Sequence, residues 1–243
     1  VLIDSELWPN LLYCAGRRGI PVALVNARLS PRSARRYERY RVITRPLLSQ
    51  LQLVCAQAAE HAESWSKIGV LPDVLVVTGS PKFDLEGSAP PVERAEFQEM
   101  IDAFGPDRPV VLAASTHARE ERLIAKAVRD VPGALAVLLP RHAERRSVVR
   151  ADLEAVGFEV VQRSSFQSPG NPGKAVLVVD STGELRDWTA HADVVVIGKS
   201  FLGRGGQNPV EAIEAGIAVI CGPHMENFEP LITELRAASA IES

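Results

Sequence analysis

Short apolar runs recur along the chain and alternate with amphipathic stretches. Nine stand out: VLI at 1–3, VALVNA at 22–27, LQLVCAQ at 51–57, VLVVTG at 74–79, VVLAAS at 110–115, ALAVLLP at 134–140, AVLVVD at 175–180, DVVVIG at 193–198 and IAVICG at 217–222. Most are continuous in hydrophobicity rather than alternating. A strand covered by helices on both faces needs apolar side chains at successive positions, so such runs predict parallel sheets in an α/β fold.

The runs fall into two groups, with a break between about Asp84 and Pro109. The stretch EGSAPPVERAEF reads as a linker, stiffened by Pro90-Pro91, followed by a helix. A boundary near Ser88 divides the chain into 1–87, the second half of one doubly wound domain, and 88–243, a fairly complete doubly wound domain. The first residues read as a strand in progress and the last as a helix under way. Both ends are therefore expected to be cut from a longer parent.

Composition changes this picture little. With 46% hydrophobic and 23% charged residues, the 243-residue chain is expected to build packed cores. A net charge of −3 argues against a general nucleic-acid binder. Cys14, Cys55 and Cys221 lie in apolar surroundings without a C-x-x-C pattern, which fits a reduced, cytosolic chain. No apolar run approaches the ~18–20 residues of a membrane span, and no signal peptide is visible. There is no P-loop, no G-x-G-x-x-G after a strand, no Asp-x-Asp pair and no His or Cys cluster, so neither metal nor cofactor is expected. If a phosphate leaves here, helix dipoles and cations must neutralise it.

The candidate chemistry lies where the runs end. In open parallel sheets ligands bind outside the carboxyl ends of the strands. His117, His142 and His224 each follow directly on a predicted strand, which suggests a shared cleft. In RGGQNPVEAIEAG, Asn208 is a good helix N-cap, Pro209 suits the first helical position and Gly216 terminates, so a short helix is expected from about Pro209 to Ala215. Its free N–H groups would face the Gly203–Gly206 loop and form an anion site. Glu211 has two readings: a capping-box residue returning a bond to the Asn208 N–H, or a carboxylate that accepts the hydroxyls of a ribose. VVDSTGELRDW predicts strand, turn and helix, with Asp180 or Ser181 as cap or with another N–H cradle beside the same ligand. Between Arg17 and Arg45 there are nine arginines and one acid, Glu38. Ser30 and Pro31 start a helix on which Arg32, Arg35, Arg36 and Arg39 share one face, either simply solvated or a surface for phosphates or anionic lipid.

In order along the chain, SELWPN, VNARLSPRSARRY, TGSPKFD, STH, LLPRHAERR, DSTGEL, GGQNPVEAIEAG and GPHMENF form a set that resembles the 3-deoxy-D-manno-octulosonic acid (Kdo) transferases, from Asp4 to about Leu231. The resemblance implies an inverting, metal-independent GT-B glycosyltransferase built from two Rossmann-like domains, the first incomplete here. It implies Kdo transfer from CMP-Kdo to a lipid A precursor at the cytoplasmic face of the bacterial inner membrane, through peripheral contact and without nucleic acid. By motif, Arg141, His142, Thr182, Gly183, Glu184, Asn208, Pro209, Val210 and Glu211 would bind CMP. Glu6 and Lys82 would stabilise the transition state, and Arg28 with the four helix arginines would meet the acceptor. The family's general base would precede Val1, which implies a soluble fragment inactive alone. Departures from the pattern are Asp4 for Glu, Ser80-Pro81 for Asn-Leu, Ala143 for Pro, Lys199 for Gly and Gln207 for His. Another GT-B enzyme, such as a UDP-sugar transferase or a 2-epimerase, and a non-catalytic nucleotide-binding module are the alternatives.

Overall fold

The computed structural model describes residues 1–4, 7–81 and 91–238. The chain divides into two compact units, Val1–Ser88 and Ala89–Ser243. The linker residues 86–90 and the last five residues lie outside the described part.

Unit 1 runs β1 (Leu2–Ile3), α1 (Pro9–Arg17), β2 (Val22–Ala27), α2 (Pro31–Arg39), α3 (Arg41–Leu48), β3 (Leu51–Ala56), α4 (Ala59–Lys67) and β4 (Leu75–Val77). Its sheet is parallel throughout, in the order β1-β2-β3-β4. Helix α2 starts as its sequence predicts. The Ser30 side chain accepts from the Ser33 N–H at 3.1 Å, and Pro31, with its preset φ and no N–H to lose, opens the first turn. One core holds the unit together: Leu12 and Ala15 of α1, Leu24 and Val54 of the sheet, Leu48 of α3 and Trp65 of α4.

Unit 2 runs α5 (Ala95–Asp102), β5 (Val110–Thr116), α6 (Glu120–Arg129), β6 (Leu135–Pro140), α7 (Arg146–Glu154), β7 (Glu159–Gln162), β8 (Ala175–Val178), α8 (Leu185–Thr189), β9 (Val194–Ile197), α9 (Val210–Glu214), β10 (Ala218–Ile220) and α10 (Glu229–Ala237). All six strands are parallel, in the order β10-β9-β5-β6-β8-β7. Alternate residues of one apolar run enter different cores. Leu112, Val137, Leu177 and Val195 pack with Phe97 of α5 and Trp188 of α8; Ala113, Leu138, Val178 and Val196 pack with Ile124 of α6 and Leu153 of α7. Phe97 and Trp188 stack face to face at 4.0 Å, adding about 0.5–1.5 kcal/mol to their burial.

Each of the nine predicted runs contains a strand, and β7 is a tenth that the runs did not predict. As the sheet's edge strand it is only partly buried, so EVVQ lacks a long continuous apolar run. Among the described residues no helix is long and apolar enough to cross a membrane.

Candidate functional site

From β5, unit 2 builds outward through β6, β8 and β7, then returns to lay β9 against the other side of β5. The loops leaving β5 and β9 therefore diverge, and a crevice opens at their carboxyl ends. The strand ends themselves are in tight contact. A Cβ on Gly198 would lie 2.4 Å from the Ser115 carbonyl oxygen, so no larger residue fits. Ser115, Arg119 and Lys199 around this point all have left-handed backbones, with φ of 54°, 72° and 57°. Such conformations cost of order 1 kcal/mol or more each and persist only where neighbours hold them.

The holding groups are two consecutive glutamates in the first turn of α6. Glu120 is fully buried and Glu121 nearly so. One oxygen of Glu120 accepts the His117 N–H at 2.9 Å and the Lys199 N–H at 2.6 Å; the other accepts from Phe201 at 3.2 Å and Leu202 at 3.3 Å. Four amides thus offset the desolvation of one carboxylate. Glu121 accepts from the Thr116 hydroxyl at 3.0 Å and pairs with Arg145 at 2.9 Å. The sequence reading passed over this pair. Its one available signal was AREERL, two acids starting a helix directly after a strand and a histidine.

His117 and His142 come together, with ring centroids 6.0 Å apart. The Gln207 side-chain amide nitrogen sits 3.2 Å from His117 Nε2, which as acceptor requires the neutral ring. Burial, and then the charge of Lys199, hold the His117 pKa below its ordinary value, in agreement. Two of the departures from the family pattern therefore converge on one histidine. His224 joins through its backbone: its N–H donates to Ser200 O at 3.0 Å, and its ring faces Glu226 at 3.5 Å.

The Asn208 turn differs from expectation in its details. Helix α9 begins at Val210 with Pro209 as the cap residue, and the Asn208 Oδ1 accepts the Val210 N–H at 3.2 Å. Among the described residues Glu211 makes no bond back to the Asn208 N–H, so the capping box is not formed. The glycine loop is not an open cradle either. The Gly205 N–H donates to the Glu226 carboxylate at 2.6 Å and the Gly206 N–H to Lys199 O at 3.2 Å. The backbone N–H of Glu226 itself, and then that of Gly205, hold the Glu226 pKa below its ordinary value. In DSTGEL neither expected cap operates. Asp180 accepts from the Ser164 N–H at 2.9 Å and its hydroxyl at 2.6 Å, while Ser181 donates to Glu184. Glu184 is also paired with Arg163 at 3.1 Å. Thr182 and Gly183 are exposed, as are Arg141 and His142 beyond β6.

In unit 1, Asn26 is buried at the carboxyl edge with a left-handed backbone. Its side chain donates to Asp4 at 2.5 Å and accepts from Gln57 and Ser80, each at 2.8 Å. Glu6 and Lys82 lie outside the described residues. Arg32, Arg35, Arg36 and Arg39 are all exposed on α2, and Arg28 is half-buried before it. The adjoining α3 exposes Val42 and Ile43 beside this basic face, which charge patterning alone did not reveal.

A sequence profile described as 3-Deoxy-D-manno-octulosonic-acid transferase (kdotransferase) matches residues 1–85. The 3-deoxy-D-manno-octulosonic acid transferase of Haemophilus influenzae is 34% identical over 239 residues, 97% of this chain and 55% of that protein. By sequence, the chain is similar to the Kdo transferases, in residues 1–85 by that profile and over nearly its whole length by curated relatives. It spans about half the length of these curated Kdo transferases. Among solved structures, the C-terminal CMP-Kdo binding domain of WaaA from Acinetobacter baumannii is 29% identical with a TM-score of 0.52, over 60% of this chain and 77% of that domain. HepE from Anabaena, solved with UDP, is 12% identical with a TM-score of 0.54, over 98% of this chain and 69% of its own, a likeness of fold alone. The architecture of the two units is that of GT-B proteins, as the family resemblance implied.

Proposed function

We propose that unit 2 binds the nucleotide of CMP-Kdo and that the whole protein transfers Kdo to a lipid A precursor in lipopolysaccharide biosynthesis. The observation that carries this reading is the convergence of family motifs on one sheet edge. STH and PRH close β5 and β6, and STGEL, GGQNPVE and GPHMENF follow β8, β9 and β10. Likeness to a CMP-Kdo binding domain supports the choice of nucleotide.

In this reading an acceptor hydroxyl attacks the anomeric carbon of Kdo, and CMP leaves with inversion and without a metal. Arg141, His142, Thr182, Gly183 and Glu184 contact CMP together with the Asn208–Glu211 turn. The phosphate is met by cations and by the first-turn amides of α9 at Glu211 and Ala212, since Gly205 and Gly206 already use theirs. Glu211, released from capping, is available to the ribose hydroxyls. Glu6 and Lys82 stabilise the transition state. Arg28 and the arginines of α2 receive the acceptor's phosphates, and the protein works in peripheral contact with the cytoplasmic face of the inner membrane.

The test is a calorimetric titration of this chain with CMP and with UDP. CMP is expected to bind in preference, and Glu211→Ala to weaken it by roughly tenfold or more, the scale of a lost hydrogen bond to a charged group. Unchanged CMP affinity in the variant removes Glu211 from the site. Preference for UDP moves the reading to a different GT-B enzyme. Transfer to a lipid A precursor, with CMP-Kdo generated in situ, tests the activity in the full-length protein.

A further inference from the structure

Strand β5 lies between β9 and β6, and the crevice opens where the chain departs from it in both directions. The helix that follows β5 begins with Glu120 and Glu121, and the two side chains reach opposite neighbours. Glu120 holds the amides of Lys199, Phe201 and Leu202 on the β9 side. Glu121 holds Arg145 on the β6 side, four residues beyond Arg141. Its Thr116 bond ties the same carboxylate back to the end of β5.

A carboxylate is well suited to this task. It has about four lone-pair sites and no proton to place, so one buried group can accept several N–H bonds at once. These bonds are charge-assisted and roughly twice as strong as neutral ones. They also sustain the left-handed backbone of Lys199, which no ordinary turn preference would. The buried pair is far costlier than the apolar residues that usually face inward from a helix. Its cost is offset only in the arrangement where both flanking segments are in place.

We propose that Glu120 and Glu121 are positioning residues that fix the two walls of the nucleotide crevice independently: Glu120 the segment from Lys199 towards Asn208, Glu121 the segment carrying Arg141 and His142. Neither touches the ligand. This rests on the nucleotide-binding reading above, and the experiment separates the two.

Hydrogen exchange is followed residue by residue in the 243-residue chain and in Glu120→Gln and Glu121→Gln, with CMP affinity measured on the same samples. The wild type should protect Lys199, Phe201 and Leu202 before any nucleotide is added; rapid exchange there overturns the proposal without any variant. Glu120→Gln should raise exchange at those three amides and leave β6 and β8 protected, while weakening CMP by roughly tenfold or more, the scale of lost charge-assisted bonds. Glu121→Gln should spare those amides yet also weaken CMP. Exchange rising evenly across unit 2 would mean that the glutamates merely stabilise the core, and the proposal fails. Altered loop exchange with unchanged CMP affinity sinks it equally. If the wild type binds UDP and not CMP, the donor assignment fails, and the same variants measured against UDP still decide the positioning role. If it binds neither nucleotide, both readings fall.

Discussion

Units 1 and 2 have equally continuous apolar strands in different surroundings. In unit 2 the sheet separates two cores, and successive residues of β6 and β8 are buried on both faces. In unit 1 the described residues form one core, and Ile3, Leu53 and Val76 remain 62%, 38% and 46% exposed. VLVV at 74–77 in unit 1 is as continuously apolar as AVLVV at 175–179 in unit 2. Apolar positions at every step permit a two-sided core, but the helices that pack on the sheet decide whether both sides are used.

The largest expected effect comes from the two fully buried tryptophans, Trp65 of α4 and Trp188 of α8. Either change to alanine should cost about 3–5 kcal/mol. Trp65→Ala removes the centre of unit 1's described core and should expose the amides of β2 and β3 throughout. Trp188→Ala should weaken the Phe97 side of unit 2 while the Ile124–Leu153 side retains slow exchange. Uniform loss of protection across unit 2 would show that its cores melt as one body, and the contrast between the units would disappear.

A smaller effect is expected from acid. Burial is the first cause that lowers the pKa of His61 in unit 1 and of His117 and His191 in unit 2. The folded state then binds these protons less readily than the unfolded state. Stability present above the ordinary value of 6.5 is lost as pH falls below it. Unit 2, with two such groups, should lose more than unit 1 in denaturant titrations compared between about pH 7.5 and 5.5. His117→Gln with His191→Gln should flatten that difference; an equal drop with and without the substitutions would assign it elsewhere.

The smallest effect is chemical. Burial raises the Cys221 thiol to about 11, whereas Cys14 in unit 1 is exposed. At mildly alkaline pH a thiol of that kind is only ~0.1% thiolate, and the thiolate is the nucleophile. Mass spectrometry after brief alkylation should find Cys14 modified well before Cys221. Equal rates would mean that the segment after β10 opens freely, and that unit 2 is less closed than its packing implies.

Strand positions were legible because burial on a sheet leaves a local trace in hydrophobicity. β7 was missed because an edge strand leaves a fainter one. The start of α2 was legible in Ser30 and Pro31, since capping is local chemistry. Ser181 and Asp180 have the same capping chemistry available and do something else, because Ser164 donates to Asp180 from another part of the chain and Glu184, itself held by Arg163, takes the Ser181 hydroxyl. His117 and His142 were legible as strand-end residues, yet their meeting depends on β5 and β6 being neighbours.

The amino-acid sequence by itself determined the nine predicted strand segments, their α/β class and the resemblance to the Kdo transferases, since local hydrophobicity and ordered motifs survive without any fold. Only the tertiary structure decided which amides remain open to an anion and which are already taken. Glu120 spends its charge on amides up to 82 positions away, and Glu226 claims Gly205 from 21 positions away. Hydrogen-bond satisfaction is settled by whatever the fold brings within about 3 Å, and sequence separation carries little information about that distance.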